Sequence, residues 1–254
     1  MFAALAVLMI LLSRHGSSDE GRRELLVHCA AGLQLPLTEI ARSYEREHHT
    51  RVILNFAGSG VLESQLKTTG GDLFIPADDS YIENAVSQGL VSETAALAEL
   101  RAVIVVPKGN PKRIKSLSDI ALENVRLCVA EPSAAVGKFT RDVLLKAGLW
   151  KGIEPYVIVT QPTVNGVVTA VATGSVDVGI AWDAVALQSP EVEIVRIPLF
   201  DANPRQVRVG VLNRAASHEA RDFVDYLTAE EAGRRIFTRH HYTSPPRTDN
   251  KDGN

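Results

Sequence analysis

The sequence predicts an α/β protein of two lobes, each a mainly parallel sheet flanked by helices. Apolar strand-like runs alternate with amphipathic helix-like runs along almost the whole chain, the rhythm of parallel strands covered by crossover helices. The 254 residues, 45% hydrophobic and 22% charged, allow a substantial core, and one sheet holding all the strands would be long. Two strands also stop in small residues just before a helix, at Asn55 to Val61 and at Gly71 to Asp79. Such a turn leaves bare backbone N–H groups at a helix N-terminus, where an anion is favoured.

The elements follow in order. Leu25 to Cys29 reads as a strand, Leu35 to His48 as an amphipathic helix and Arg51 to Phe56 as a strand. Val61 to Thr68 is helical, Asp72 to Ile75 is a short strand, and Tyr81 to Gln88 is a helix stopped by Gly89. Ala102 to Pro107 is a strongly apolar strand, Ser116 to Ala121 a short helix, Arg126 to Ala130 a strand, and Gly137 to Ala147 a helix ended by Gly148. Tyr156 to Val159 is a strand, Val164 to Thr173 a helix with Gly174 beyond it, and Val176 to Trp182 and Glu193 to Ile197 are strands. Gln206 to Leu212 is an apolar strand, and Ser217 to Phe237 is helical with a break.

Before these elements, Phe2 to Leu12 is an unbroken apolar run followed by the polar residues Ser13 to Glu20. Crossing a bilayer as a helix takes roughly 20 apolar residues, so this run better fits the apolar core of a secretory signal. No Lys or Arg precedes it and no Ala-x-Ala site follows, which an uncleaved anchor or a start codon placed too late would explain. Export to the periplasm, with or without a membrane anchor, is the expectation.

The net charge of -3 comes with no basic stripe, which argues against nucleic acid or an anionic membrane as a partner. The run Lys108 to Lys115 reads as a solvated loop. Cys29 and Cys128 each sit in an apolar run and read as buried core residues that cannot pair if they occupy separate lobes. His48 with His49, and His240 with His241, are adjacent pairs that read as surface residues, and no spacing resembles a metal site. Gly-x-Ser-x-Gly, His-Glu-x-x-His and phosphate-loop motifs do not occur, which argues against a hydrolase or transferase.

An ordered series of motifs carries a family resemblance: Ala30-Ala31-Gly32-Leu33, Phe56-Ala57-Gly58-Ser59-Gly60, Gly71 to Asp78, Glu131-Pro132 with Val136-Gly137, and Val164 to Asp183. With these, the chain from about Leu25 to Tyr242 resembles the periplasmic molybdate- and tungstate-binding proteins of ABC transporters, within the type II periplasmic binding fold. The resemblance implies a ligand cleft between lobes, with residues 24–102 and 205–254 in the first, 103–204 in the second, and 1–23 as signal or anchor plus linker. It implies an oxyanion, molybdate or tungstate, lined by Gly32, Ser59, Ala77, Val136, Val164 and Trp182, with no direct metal ligands and no cofactor. ABC permease subunits are the implied partners, and the chain is expected to act as a monomer.

Two positions depart from the family pattern. Gly32 stands where serine is common, which removes a hydroxyl donor, and Trp182 stands where many members have tyrosine, which trades an O–H for an indole N–H. A lost hydrogen bond to a charged ligand costs about 1.5 to 3 kcal/mol. The residues themselves suggest that helix dipoles, rather than a Lys or Arg, balance the ligand's charge. Asp78 and Asp79 read as N-caps for the helix from Tyr81, and Asp72 as structural. Ser59 stays open between ligand donor and helix cap, Trp182 between ligand contact and core packing, and Asn165 between cleft and solvent. Another oxyanion, a small organic ligand, or an enzyme on a similar two-lobed fold are the alternatives.

Overall fold

The computed structural model describes residues 23–121, 125–213 and 217–245; the apolar N-terminal run lies outside them. The chain begins with β1 (Glu24–Ala30), a 3-10 turn (Ala31–Leu33), α1 (Gln34–His48), β2 (Arg51–Ala57), α2 (Ser59–Thr69), β3 (Leu73–Ile75), α3 (Asp79–Ser87) and β4 (Val91–Leu100). It continues with β5 (Ala102–Pro107), α4 (Leu117–Ile120), β6 (Leu127–Ala130), α5 (Ala135–Lys146), α6 (Trp150–Ile153), β7 (Val157–Gln161) and α7 (Val164–Ala172). Then come β8 (Val178–Trp182), α8 (Asp183–Leu187), β9 (Val192–Val195), α9 (Pro198–Asp201), β10 (Arg205–Leu212), α10 (His218–Thr228), a π-helical turn (Glu230–Arg234) and α11 (Arg235–Arg239).

The strands form two five-stranded sheets with one shared plan, β2-β1-β3-β10-β4 and β7-β6-β8-β5-β9. In each, the first three strands are parallel, and the fourth, β10 or β5, runs against both of its neighbours. The sheets are therefore mixed, with four strands running one way and one against them. The chain passes from the first sheet to the second through the single residue Arg101, between Leu100 and Ala102, and returns through residues 202–204.

Burial follows the sequence pattern. The uninterrupted apolar run of β5 has no residue from Ala102 to Val106 more than 1% exposed, as expected for a strand covered on both faces. Helix α1 buries Leu37, Ile40, Ala41 and Tyr44 at helical spacing, and Tyr44 meets Phe223 of α10 edge to face at 4.8 Å. Gly89, Gly148 and Gly174 follow α3, α5 and α7 with φ between 67° and 72°, the left-handed conformation that ends a helix at little cost in glycine. Cys29 and Cys128 are buried and free, one in each sheet.

Strand β4 is absent from the sequence reading, for a physical reason. Its residues, Val-Ser-Glu-Thr-Ala-Ala-Leu-Ala-Glu-Leu, carry alanine, glutamate and leucine, which favour helix. Pairing with β10, from Leu100 opposite Arg205 to Val91 opposite Leu212, overrides that preference with ladder bonds the local sequence cannot announce. One histidine also departs from expectation: His240 is partly buried and meets Glu39 through Nε2 and Oε2 at 2.9 Å.

Helix α5 lies so close to the end of β6 that a Cβ on Gly137 would sit 2.1 Å from the Glu131 carbonyl oxygen and 2.4 Å from that of Ala130. Gly137→Ala is expected to lower the unfolding free energy in urea by about 3 kcal/mol. Gly152→Ala, where a Cβ has nothing within 4 Å, is expected to be neutral within about 0.5 kcal/mol. Equal stability of the two variants would contradict this packing.

Candidate functional site

Six strands deliver their carboxyl ends to one place, as open α/β sheets do at their ligand crevices. From the first sheet, β1, β2 and β3 lead to residues 30–32, residues 57–59 and Ala77; from the second, β6, β7 and β8 lead to residues 134–136, Thr163 with Val164, and Trp182. These residues enclose a cavity of about 20 Å³, where roughly 10–15 Å³ admits one water. Gly32, Ser59, Ala77, Val136, Val164 and Trp182 all line it. Ala134, Ala135 and Thr163 line it too and were missed; Thr163 carries a readable signal, a hydroxyl residue placed to cap α7.

No charged side chain lines the cavity. Its polar character comes from helix starts: α2 begins after Gly58 and α5 after Ala134, and neither N-cap supplies a side-chain acceptor. Apart from the Gly60 N–H, which the Ser133 carbonyl engages, the first-turn N–H groups of these helices are therefore left for a guest, at the positive ends of two helix dipoles. Helix α7 is capped by Thr163, whose Oγ1 accepts from the Gly166 N–H at 3.3 Å, which leaves the Val164 N–H at the cavity wall.

Ser59 is 1% exposed. It stands one residue inside α2, and its hydroxyl oxygen accepts the Ala77 N–H at 3.2 Å, so it is not the cap of its helix. This contact ties the β2 and β3 turns together and directs the hydroxyl proton elsewhere. It also engages the Ala77 N–H, one of the expected backbone donors. Trp182 combines its two readings: it lines the cavity and packs on Phe139 with ring centroids 5.2 Å apart. Asn165 is not among the lining residues, and its Oδ1 is buried without a hydrogen-bond partner.

The lobes meet backbone to backbone at this point. The Gly60 N–H donates to the Ser133 carbonyl at 2.8 Å, and a Cβ on Gly58 would lie 2.9 Å from the same oxygen. At Gly32 a Cβ would lie 2.9 Å from Val164 Cγ1 and 3.2 Å from Val185 Cγ2. The loss of a serine hydroxyl at position 32 thus has a steric counterpart, because second-lobe valines occupy the space. Tyr242, 2% exposed, donates its hydroxyl to the Gly32 carbonyl, and burial pushes its phenol well above the ordinary tyrosine range.

Asp72, Asp78 and Asp79 do not line the cavity. Asp72 Oδ2 accepts the Leu26 N–H at 2.7 Å, joining β3 to β1. Asp78 Oδ1 accepts the Ser80 N–H at 2.9 Å and caps α3, while Asp79 is the first residue of that helix. Arg205, the first residue of β10, reaches Asp78 Oδ2 at 3.0 Å.

Comparisons with known proteins match this architecture. The profile of a family described as bacterial extracellular solute-binding protein matches residues 25–243. The molybdate-binding protein ModA of Mycobacterium bovis is 31% identical over 232 residues, covering 89% of this chain and 87% of its own. The periplasmic molybdate-binding protein of Azotobacter vinelandii superposes with a TM-score of 0.73 at 17% identity, over 87% of this chain and 99% of that one. The periplasmic binding protein AfuA of Actinobacillus pleuropneumoniae, solved with fructose-6-phosphate, gives 0.76 at 15% identity, over 88% and 85%. The architecture is the two-lobed type II periplasmic binding fold, and the chain belongs to the bacterial extracellular solute-binding protein family.

Proposed function

We propose that this protein captures a compact, fully ionised tetrahedral oxyanion, molybdate or tungstate, outside the cytoplasm and delivers it to the permease of an ABC transporter. The observation that carries this reading is the small, uncharged cavity walled by helix N-termini and the Ser59 hydroxyl. A dianion without protons presents only acceptors, and neutral N–H and O–H donors satisfy it. Similarity to ModA supports molybdate as the cargo. Hydrogen phosphate carries a proton that calls for an acceptor, and no carboxylate lines the cavity.

In this reading Gly32, Ser59, Ala77, Val136, Val164 and Trp182 form the ligand shell. Residues 24–102 and 205–254 act as one lobe and 103–204 as the other, bending at Arg101 and at residues 202–204. A ligand held by both lobes favours the closed state by its differential affinity. The protein works as a monomer, exported or tethered by its apolar N-terminal run.

Four outcomes are expected. Molybdate or tungstate at a hundredfold excess over Kd stabilises the protein by about 2.7 kcal/mol, seen as a raised melting temperature; no shift with either anion at millimolar concentration rejects the reading. Calorimetry with sulfate and phosphate on the same sample ranks the cargoes, and phosphate is expected to bind most weakly. Ser59→Ala weakens molybdate binding about ten- to hundredfold. Gly32→Ser fails to strengthen binding, because its Cβ meets Val164 before the hydroxyl can serve; tighter binding would contradict the steric account.

A further inference from the structure

Of the two charged pairs that stand immediately behind the cavity without lining it, Asp78 with Arg205 and Asp183 with Arg196, the first joins the two lobes. Asp78 follows Ala77, a lining residue, so its Cα lies about 3.8 Å along the chain from the cavity wall. Its carboxylate is 3% exposed and cannot shed its field into solvent. The field reaches its neighbours: burial first, and then the Asp78 charge, push the Asp79 carboxyl above the usual range, while Arg205 pulls it down. Tyr81, on the same helix, is raised by burial and then by Asp78, Glu63 and Asp142.

Arg205 is placed to cancel that field. Its Nε is 3.0 Å from Asp78 Oδ2, and its guanidinium lies 5.0 Å over the ring of Phe139, the residue that backs Trp182 at 5.2 Å. The arginine therefore joins the first-lobe carboxylate to the second-lobe aromatic wall. Helix termini supply only about half a positive charge each, so an unpaired full negative charge one residue away would offset much of what they offer an anion.

We infer that Arg205 is an affinity-determining residue: by neutralising Asp78 it lets the buried N-cap of α3 coexist with an anionic guest in the adjoining cavity. The inference rests on the anion reading of the cleft. It makes Arg205 a positioning and charge-balancing residue that touches no ligand.

The test is a charge-removal cycle read by calorimetry with sodium molybdate. Arg205→Met keeps an apolar stem against Phe139 and exposes the Asp78 charge, and is expected to weaken binding about ten- to hundredfold. Arg205→Met combined with Asp78→Asn removes both charges while asparagine still caps the helix; it is expected to recover affinity to within about threefold of the unaltered protein. Asp78→Asn alone leaves Arg205 unpaired and is expected to bind molybdate as tightly or severalfold more tightly, a readout that stands even if Arg205→Met folds poorly. Unchanged affinity in Arg205→Met, a double variant as weak as the single, or weaker binding by Asp78→Asn would each overturn the assignment. If the unaltered protein itself gives no binding with molybdate, the anion reading fails and takes this inference with it; if it binds and only the variants disobey, the cleft reading stands and Arg205 loses its role.

Discussion

The backbone hydrogen bond from the Gly60 N–H to the Ser133 carbonyl fixes how closely the two lobes approach, and the rest of the site follows from that distance. Side chains normally keep backbones apart, and here Gly58 leaves the second-lobe carbonyl free to reach the start of α2. Closed to this degree, the helix N-termini of both lobes share one cavity. Held further apart, the same termini would face solvent, where water would screen each dipole separately.

The electrostatics of the site are built in layers. Nearest the guest are neutral donors, which desolvate at lower cost than charges. Ser59 and Ala77, themselves in that lining, lock two turns together at 3.2 Å, and Tyr242 holds the Gly32 carbonyl from behind. Ionised groups appear only in the next layer, already paired: Asp78 with Arg205, and Asp183 with Arg196 at 3.0 Å. Asp183 also accepts the Arg101 N–H at 3.1 Å, so one buried carboxylate pins the first crossover to the end of β8.

Much of this was legible in the sequence because its local signals agree. Small-residue turns after apolar strands located Ser59 and Ala77, helix-ending glycines bounded α3, α5 and α7, and the ordered motifs brought Val136, Val164 and Trp182 to the same cavity. What escaped depends on partners distant in sequence. Strand β4 is defined by β10, more than a hundred residues away, against its own helical composition. Ala134 and Ala135 reach the wall through the path of the turn before α5, which alanine does not advertise. Gly32 read as a missing hydroxyl because the valines that fill its space lie on α7 and α8, and no pattern near residue 32 reports them.

The last described stretch of the chain touches both lobes and the neighbourhood of the first crossover. Thr243 pairs with Glu99 beside the first crossover, the His240 carbonyl accepts from Gln188 of the second lobe at 3.2 Å, and Tyr242 grips the turn at Gly32. These contacts strap the end of the chain to both lobes. A chain shortened before Phe237 would lose that linkage and release the turn that Tyr242 holds.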